Sequence, residues 1–257
     1  MAERSARSAR LRDGIVVKSL NWLMRGLLGF GGILLAYQAW PVSRGAWQAQ
    51  KADTVLNQLR TVSLLGSGQA TKLPGVVAGI AALDRAVAAD PVAGRYLQRS
   101  ELVIGAALTP ELDVTMDQRI AWLRSAEADL YAGLGAAPAR GIAWARLAAV
   151  RQGLQGTSRG VVDALLMSID TAPMLRAVWP ARLQLILDNW VAFTSAERER
   201  LGAYVVMTWR LNPERRWVAE VVRSPVDELF VRYFLRDEPN AQEEFGRELE
   251  YLRRTKK

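Results

Sequence analysis

The sequence predicts an all-α protein in which a single N-terminal transmembrane helix is followed by an array of packed helices. Residues 26–43 carry no formal charge, a stretch long enough to span a membrane. Beyond residue 73 the chain is rich in Ala, Leu, Val and Arg and shows little of the strict alternation that marks strands. Helix-start signals recur through this part, so we expect one helix after another up to residue 257.

Residues 1–19 form a basic tail, and residues 20–40 form the predicted transmembrane helix. Trp22 and Trp40 bracket this segment, and on a helix they would lie roughly 27 Å apart, close to the thickness of the bilayer hydrocarbon. Tryptophan favours both membrane interfaces, and Arg25 can extend its guanidinium group to the nearer one. These three residues are the predicted membrane anchor.

Charge on the two flanks predicts the orientation of the anchor. Residues 1–40 hold six basic and two acidic residues, which is +4 of the net charge of +8. We therefore expect a single-pass protein of the bacterial inner membrane, with its N-terminus cytoplasmic and its C-terminal domain periplasmic. A cleaved signal peptide is the alternative, although Tyr37 stands where a small residue is expected before a cut after Ala39.

The distribution of charge along the chain also indicates which partners to expect. The basic excess beside the anchor suits anionic membrane lipid. Downstream, positive and negative residues are well mixed, and no basic stripe with interleaved aromatic residues is present. Nucleic acid is therefore not an expected partner.

Cysteine and histidine are both absent from the chain. These absences exclude disulfides, thiolate nucleophiles, Ser-His-Asp triads and ordinary zinc sites. A D-x-D-x-D-G calcium loop is also missing, and Gly66–Lys72 lacks the second Gly and the final Ser or Thr of a phosphate-binding loop. We predict no cofactor and no metal.

Residues 41–72 are predicted to form a juxtamembrane helix and a linker. Residues from Trp47 to Val62 recur at helical spacing, and the glycines of Leu65–Gln69 then break the pattern. The α-helical domain covers residues 73–257. Four pairs in it have capping-box spacing: Thr115 and Gln118, Thr194 and Glu197, Ser224 and Asp227, Asn240 and Glu243. Pro213 and Pro225 fit the first position of a helix.

Within the helical domain a large residue follows a proline by six positions at three places: Pro91 and Leu97, Pro138 and Trp144, Pro173 and Trp179. The last two units are thirty-five residues apart. This arrangement resembles the tetratricopeptide repeat, a helix-turn-helix unit of about thirty-four residues. In the best unit, five residues match signature positions: Trp144, Leu147, Ala148, Gly160 and Ala164.

The resemblance has clear departures. Ser100 and Glu101 stand where the repeat has Leu and a small residue, and Pro180 directly follows Trp179, so a helix must start or kink there. The first spacing also requires an insertion around Thr109–Thr115. One good unit and two partial ones cover roughly residues 76–211.

The resemblance implies a surface, lined by the first helix of each unit, that holds an extended peptide or a partner helix. The matching positions here are Arg95, Gln98, Ile142, Ala145, Gln152, Gln184 and Asp188. We expect an adaptor for a protein or peptide partner in an envelope assembly, with surface-polysaccharide synthesis or export as the specific expectation.

Two other functions remain open from the sequence. Glu101, set in the otherwise apolar stretch Leu97–Leu108, would serve a helical enzyme acting on cell-wall glycan as its general acid. Alternatively, the chain is an accessory subunit of a transport or respiratory complex, held mainly through its span.

Overall fold

The computed structural model describes residues 32–59 and 72–255, and every regular element in these ranges is helical. The predicted all-α class is therefore confirmed. The helices are α1 (32–59), α2 (Leu73–Ala89), α3 (Ala93–Leu108), α4 (Met116–Ala136), α5 (Gly141–Gln155), α6 (Arg159–Thr171), α7 (Trp179–Asp188), α8 (Ser195–Leu211), α9 (Arg216–Val221), α10 (Pro225–Phe234) and α11 (Ala241–Thr255). Two 3-10 turns, Arg176–Val178 and Trp190–Ala192, flank α7.

Two sequential helix pairs and a row of alternate helices organise the packing. Helix α3 packs on α4, and α5 packs on α6. Along the row, α3 contacts α5, α5 contacts α7, α7 contacts α9, and α9 contacts α11. One large apolar core runs under the row from α3 to α11, and Trp179 and Trp209 are its largest buried side chains. Each helix thus buries one face against a neighbour, as its apolar stripe requires.

Three corners of the chain share one backbone conformation. Asp90, Ala137 and Ala172 each end a helix immediately before a proline, with ψ values of 84°, 73° and 66°. Each donates its backbone N–H to the carbonyl four residues earlier. A residue that precedes proline is pushed out of the α region, so the proline determines where each helix stops.

The proline-to-tryptophan spacing also has a physical basis in two of these corners. The indole N–H of Trp144 donates to the Pro138 carbonyl at 2.7 Å, and that of Trp179 donates to the Pro173 carbonyl at 3.0 Å. Leu97 takes the corresponding place in the first corner and has no such donor. The six-residue interval lets the indole fasten the corner to the following helix.

Predicted helix starts are confirmed at three places. Thr115 caps α4, while Thr194 and Ser224 form complete capping boxes at α8 and α10. Pro225 occupies the first position of α10 and Trp179 begins α7, directly before Pro180, as expected.

The other two helix-start predictions have different outcomes: the start at Asn240 is confirmed in position, and the start at Pro213 is wrong. Helix α11 begins at Ala241, and the Asn240 carbonyl accepts the Glu244 N–H, but Asn240 has a φ of 59° instead of the extended backbone usual for a capping residue. Pro213 lies before α9, which begins at Arg216. There the Asn212 side chain accepts a hydrogen bond from the Glu214 N–H at 3.1 Å, which makes a local turn instead.

Helix α1 is fastened to the array by its C-terminal half. Ala49, Ala52 and Leu56 are buried against α2 and α3, and Gly45 lies so close to Asp90 that an added Cβ would be 2.7 Å from the Asp90 Cβ. Residues 32–44 are exposed and continue the same helix toward the N-terminus.

Most of the predicted anchor cannot be compared with the structure. The basic tail, residues 20–31 with Trp22 and Arg25, and the linker at residues 60–71 lie outside the described residues. Within residues 32–59 and 72–255, no helix combines the length and apolar character that a membrane crossing needs. Trp40 is exposed on α1.

Candidate functional site

Three of the predicted partner-binding residues lie together in one groove, although they come from two different helices. Gln152 on α5 and Gln184 and Asp188 on α7 line a groove of about 440 Å³ that α9 closes on the far side. We call this the α5–α7–α9 groove. The three helices are consecutive members of the row of first helices, so the row carries a recess between its units.

The other four predicted residues lie elsewhere. On α3, Arg95 is 3.8 Å from the Asp90 carboxylate, and Gln98 donates to the Asp53 carboxylate of α1 at 3.0 Å. Helix α1 therefore occupies the α3 end of the row. On α5, Ala145 is buried and Ile142 is half-buried.

Helix α9 supplies groove residues that the sequence did not single out as binding positions. Trp217 and Glu220 of α9, with Arg223 just beyond its end, line the groove beside the two α7 residues. Trp217 is half-buried, and its ring lies 6.2 Å from that of Trp179. The six-residue helix carries no repeat signature, so only its packing against α7 brings it to the site.

Small and aliphatic side chains form the rest of the lining. Pro180 and Ala181 are exposed there, and Leu185 and Val221 are buried below them. Pro180 lies in the first turn of α7, where its missing N–H costs no hydrogen bond.

Three buried polar atoms around the groove make no hydrogen bond with any residue that the structure describes. They are the side-chain oxygens of Gln152 and Gln184 and the indole N–H of Trp217. The orientation of the Gln184 amide follows from its Nε2, which donates to the Asp188 carboxylate at 2.7 Å. Buried donors and acceptors are almost always paired, so these three atoms beside one recess are unusual.

A buried arginine holds α7 in place beneath this groove. Arg182 is fully buried and donates to the Ser168 hydroxyl, to the Ser168 and Ala172 carbonyls near the end of α6, and to the Tyr204 hydroxyl of α8. A cation suits the C-terminus of a helix. Burial raises the pKa of Tyr204, and the neighbouring Arg182 opposes that rise.

An ion pair connects α6 to α8. Arg159, the first residue of α6, contacts both carboxylate oxygens of Glu197 in the first turn of α8. The side-chain hydrogen bonds from Arg159, with the backbone N–H of Thr194, lower the pKa of Glu197 to about 2. The charged carboxylate thus completes the capping box of α8 and ties it to α6.

A second groove of about 880 Å³ lies between α8 and α10. Its wall is aromatic, with Trp190 packed at 5.2 Å from both Phe230 and Phe234. Leu229 and Tyr233 are exposed at its edge. This groove contains none of the predicted binding residues.

Glu101 lies in neither groove. Its carboxylate is 2.9 Å from the guanidinium of Arg146, on the next helix of the row. This contact between α3 and α5 matches the pairing with an adjacent unit that a structural role requires.

Comparison with known proteins identifies no relative. No family model, no curated protein and no solved structure is significantly similar to this chain.

Proposed function

We propose that this chain is a membrane-tethered adaptor whose helical array binds a protein or peptide partner in a bacterial envelope assembly. The observation that carries the proposal is the α5–α7–α9 groove, where Gln152, Gln184 and Asp188 meet around unpaired polar atoms. A recess lined by polar, small and aliphatic side chains suits recognition.

The tethering part of the proposal rests on the sequence and on α1. The uncharged run bracketed by Trp22 and Trp40 has the length and flanks of a span. Because α1 is helical from residue 32 and packs on the array from Gly45 onward, a span in this position would hold the groove at a constant distance from the bilayer.

The tetratricopeptide-like assignment is part of the same proposal. Its support is the shared backbone at Asp90, Ala137 and Ala172 together with the row formed by the first helices. Surface-polysaccharide synthesis or export is the envelope pathway we propose, on the layout of a tethered helical array alone.

Crosslinking followed by affinity purification tests the adaptor. The full chain is compared with a form lacking residues 1–40, which leaves the contacts of α1 from Gly45 onward intact. Recovery of the same envelope assembly with both forms supports the adaptor. Recovery only with the full chain assigns the association to the span and supports the accessory-subunit alternative. A second experiment exchanges residues 20–40 for an unrelated span, and loss of function in that variant would support the same alternative.

The glycan-acting alternative is separated by Glu101→Gln. An enzyme that uses Glu101 as its general acid would lose activity while keeping its fold and partners. An adaptor would lose only the contribution of the ion pair with Arg146, about 1 kcal/mol or less.

A further inference from the structure

We propose that the end of the array at which α1 leaves it rests on an anionic membrane surface. This end carries the turns that join α2 to α3, α4 to α5, α6 to α7 and α8 to α9, and each turn has a proline as its second residue. We call it the proline edge, which consists of residues 90–92, 137–140, 172–178 and 212–215. The inference goes beyond the adaptor and rests on the membrane tether of the proposed function.

Contacts between neighbouring turns make the proline edge continuous. An added Cβ on Gly133, near the end of α4, would lie 3.5 Å from a backbone carbonyl in the first turn of α3. The Ser168 hydroxyl of α6 donates to the Gly141 carbonyl of α5 at 2.6 Å. Arg176 donates to the Leu211 carbonyl at the end of α8 at 3.3 Å. The four turns therefore lie side by side on one surface.

The direction of α1 points the proline edge toward the membrane. Helix α1 runs antiparallel to α2, since Gly45 packs on Asp90 while the Gln48 side chain accepts a hydrogen bond from Arg85 at 3.3 Å. Residues 32–44 therefore project past the proline edge, by roughly 20 Å at the rise of an α-helix. The other end of the array lies away from them.

The projecting part of α1 has the surface of a helix surrounded by lipid. Ile33, Leu34 and Leu35 are all exposed, and successive residues of a helix are about 100° apart, so the three cover every side. Residues 32–43 carry no charge. A protein groove covers one face of a helix, whereas a bilayer covers all of them, so this part of α1 suits lipid.

Spacing along α1 places the proline edge at the depth of the lipid headgroups. Trp40 marks the hydrocarbon boundary in the proposed tether. Gly45 lies five residues further on, about 8 Å along the helix. The headgroup layer is about 5–8 Å thick on each side of the hydrocarbon. Because Gly45 packs on Asp90, the first turn of the edge lies at the outer margin of the headgroups.

Exposed side chains of the proline edge suit that layer. Its large apolar side chains, with the last residue of α8, are Val92, Met174, Leu175 and Leu211. Arg140 and Arg176 are exposed beside them, and no carboxylate among the described residues forms an ion pair with either. Apolar side chains that enter an interface, with arginines beside them, bind anionic lipid.

The other end of the array is less suited to an anionic surface. Exposed apolar side chains occur there too, Val191 among them, so apolar character alone does not select the proline edge. The two ends differ in charge. The proline-edge turns hold Arg140, Arg176 and Arg215 against Asp90 and Glu214, whereas the turns at the other end hold Arg223 against Glu111 and Asp113. Anionic lipid attracts the first set and repels the second.

Single cysteines test the contact, because the chain has no cysteine of its own. The full chain is reconstituted in phosphatidylcholine vesicles with and without phosphatidylglycerol. A nitroxide is attached in turn to Val92→Cys and Met174→Cys on the edge, to Val191→Cys at the other end as the exposed control, and to Leu34→Cys on α1. Collisions of the nitroxide with oxygen and with a water-soluble nickel chelate measure its depth.

We expect the label at position 34 to lie in the hydrocarbon and the label at position 191 to lie in water. On vesicles with phosphatidylglycerol, the labels at positions 92 and 174 should be shielded from the nickel chelate. Arg140→Gln or Arg176→Gln, added to Met174→Cys, should each lower the ratio of shielded to unshielded label about fivefold. Arg223→Gln is the matched control and should leave that ratio unchanged.

The label on α1 separates failure of the edge from failure of the tether. If position 34 lies in the hydrocarbon while positions 92 and 174 are as open to the chelate as position 191, the edge inference fails and the tether stands. If position 34 lies in water, the tether fails and the edge inference fails with it. Equal shielding on vesicles without phosphatidylglycerol, or an equal effect of Arg223→Gln, overturns recognition of anionic lipid.

Discussion

Replacing Arg182 by methionine is the sharpest test of how the array holds the groove-bearing helix. Methionine keeps most of the aliphatic volume and removes the guanidinium group. The side chain of Arg182 is fully buried, and no carboxylate among the described residues pairs with it. Its charge is therefore supported only by neutral acceptors and by the end of α6.

The expected magnitude follows from those acceptors. The Ser168 hydroxyl, the Ser168 and Ala172 carbonyls and the Tyr204 hydroxyl each lose a donor. A net contribution of about 1 kcal/mol per hydrogen bond gives a loss of about 4 kcal/mol in the free energy of unfolding. Arg182→Lys keeps the charge but not the planar fork, so we expect a loss of about 2 kcal/mol.

Urea unfolding of the full chain, followed by far-UV circular dichroism, measures these differences. Arg176→Met is the control, because Arg176 is exposed and donates to a single carbonyl, that of Leu211, at 3.3 Å. It should cost less than about 0.5 kcal/mol. A loss below about 1 kcal/mol for Arg182→Met would refute the reasoning, since the desolvation of the buried charge would then cancel its hydrogen bonds.

Two further predictions concern the ion pair and the packing of the array. Glu197 has a folded-state pKa of about 2 against an ordinary value of 4.5, so its stabilising contribution is present above 4.5 and lost as pH falls toward 2. Glu197→Gln should therefore lower the unfolding free energy at about pH 6 and leave it unchanged at about pH 2, and an equal effect at both pH values would contradict the pKa argument. Gly141→Ala places a Cβ 2.4 Å from that of Ala172, so it should cost about 1–3 kcal/mol in chemical unfolding. Gly135→Ala, whose Cβ meets nothing within 4 Å, is its control, and equal costs would show that the α5–α6 contact is not tight.

Local chemistry explains which helix boundaries were predictable. Thr194 and Ser224 cap helices through groups only three residues away, and Ala137 and Ala172 end helices because proline follows. These interactions need no distant partner, so the sequence is enough to locate them. Asn240 shows where such local prediction of a capping side chain fails, because an asparagine can adopt a left-handed backbone as well as cap a helix.

The residues of the candidate site are brought together by packing between helices that are distant in sequence. The repeat spacing placed Gln152 and Gln184 on first helices, but the same register also selected Gln98, which contacts α1. Trp217 was interpreted as a core residue, and nothing near it in sequence marks its unpaired N–H.

The amino-acid sequence by itself determined the helical class, several helix starts and the spacing of the proline corners, because these follow from capping, from backbone sterics and from residues within about two helical turns. Only the tertiary structure decided that α1 covers the α3 end of the row, that α9 closes the groove against α7, and that Arg182 is buried among neutral acceptors. These contacts join residues distant in sequence, and their geometry depends on how whole helices pack, which no local pattern encodes.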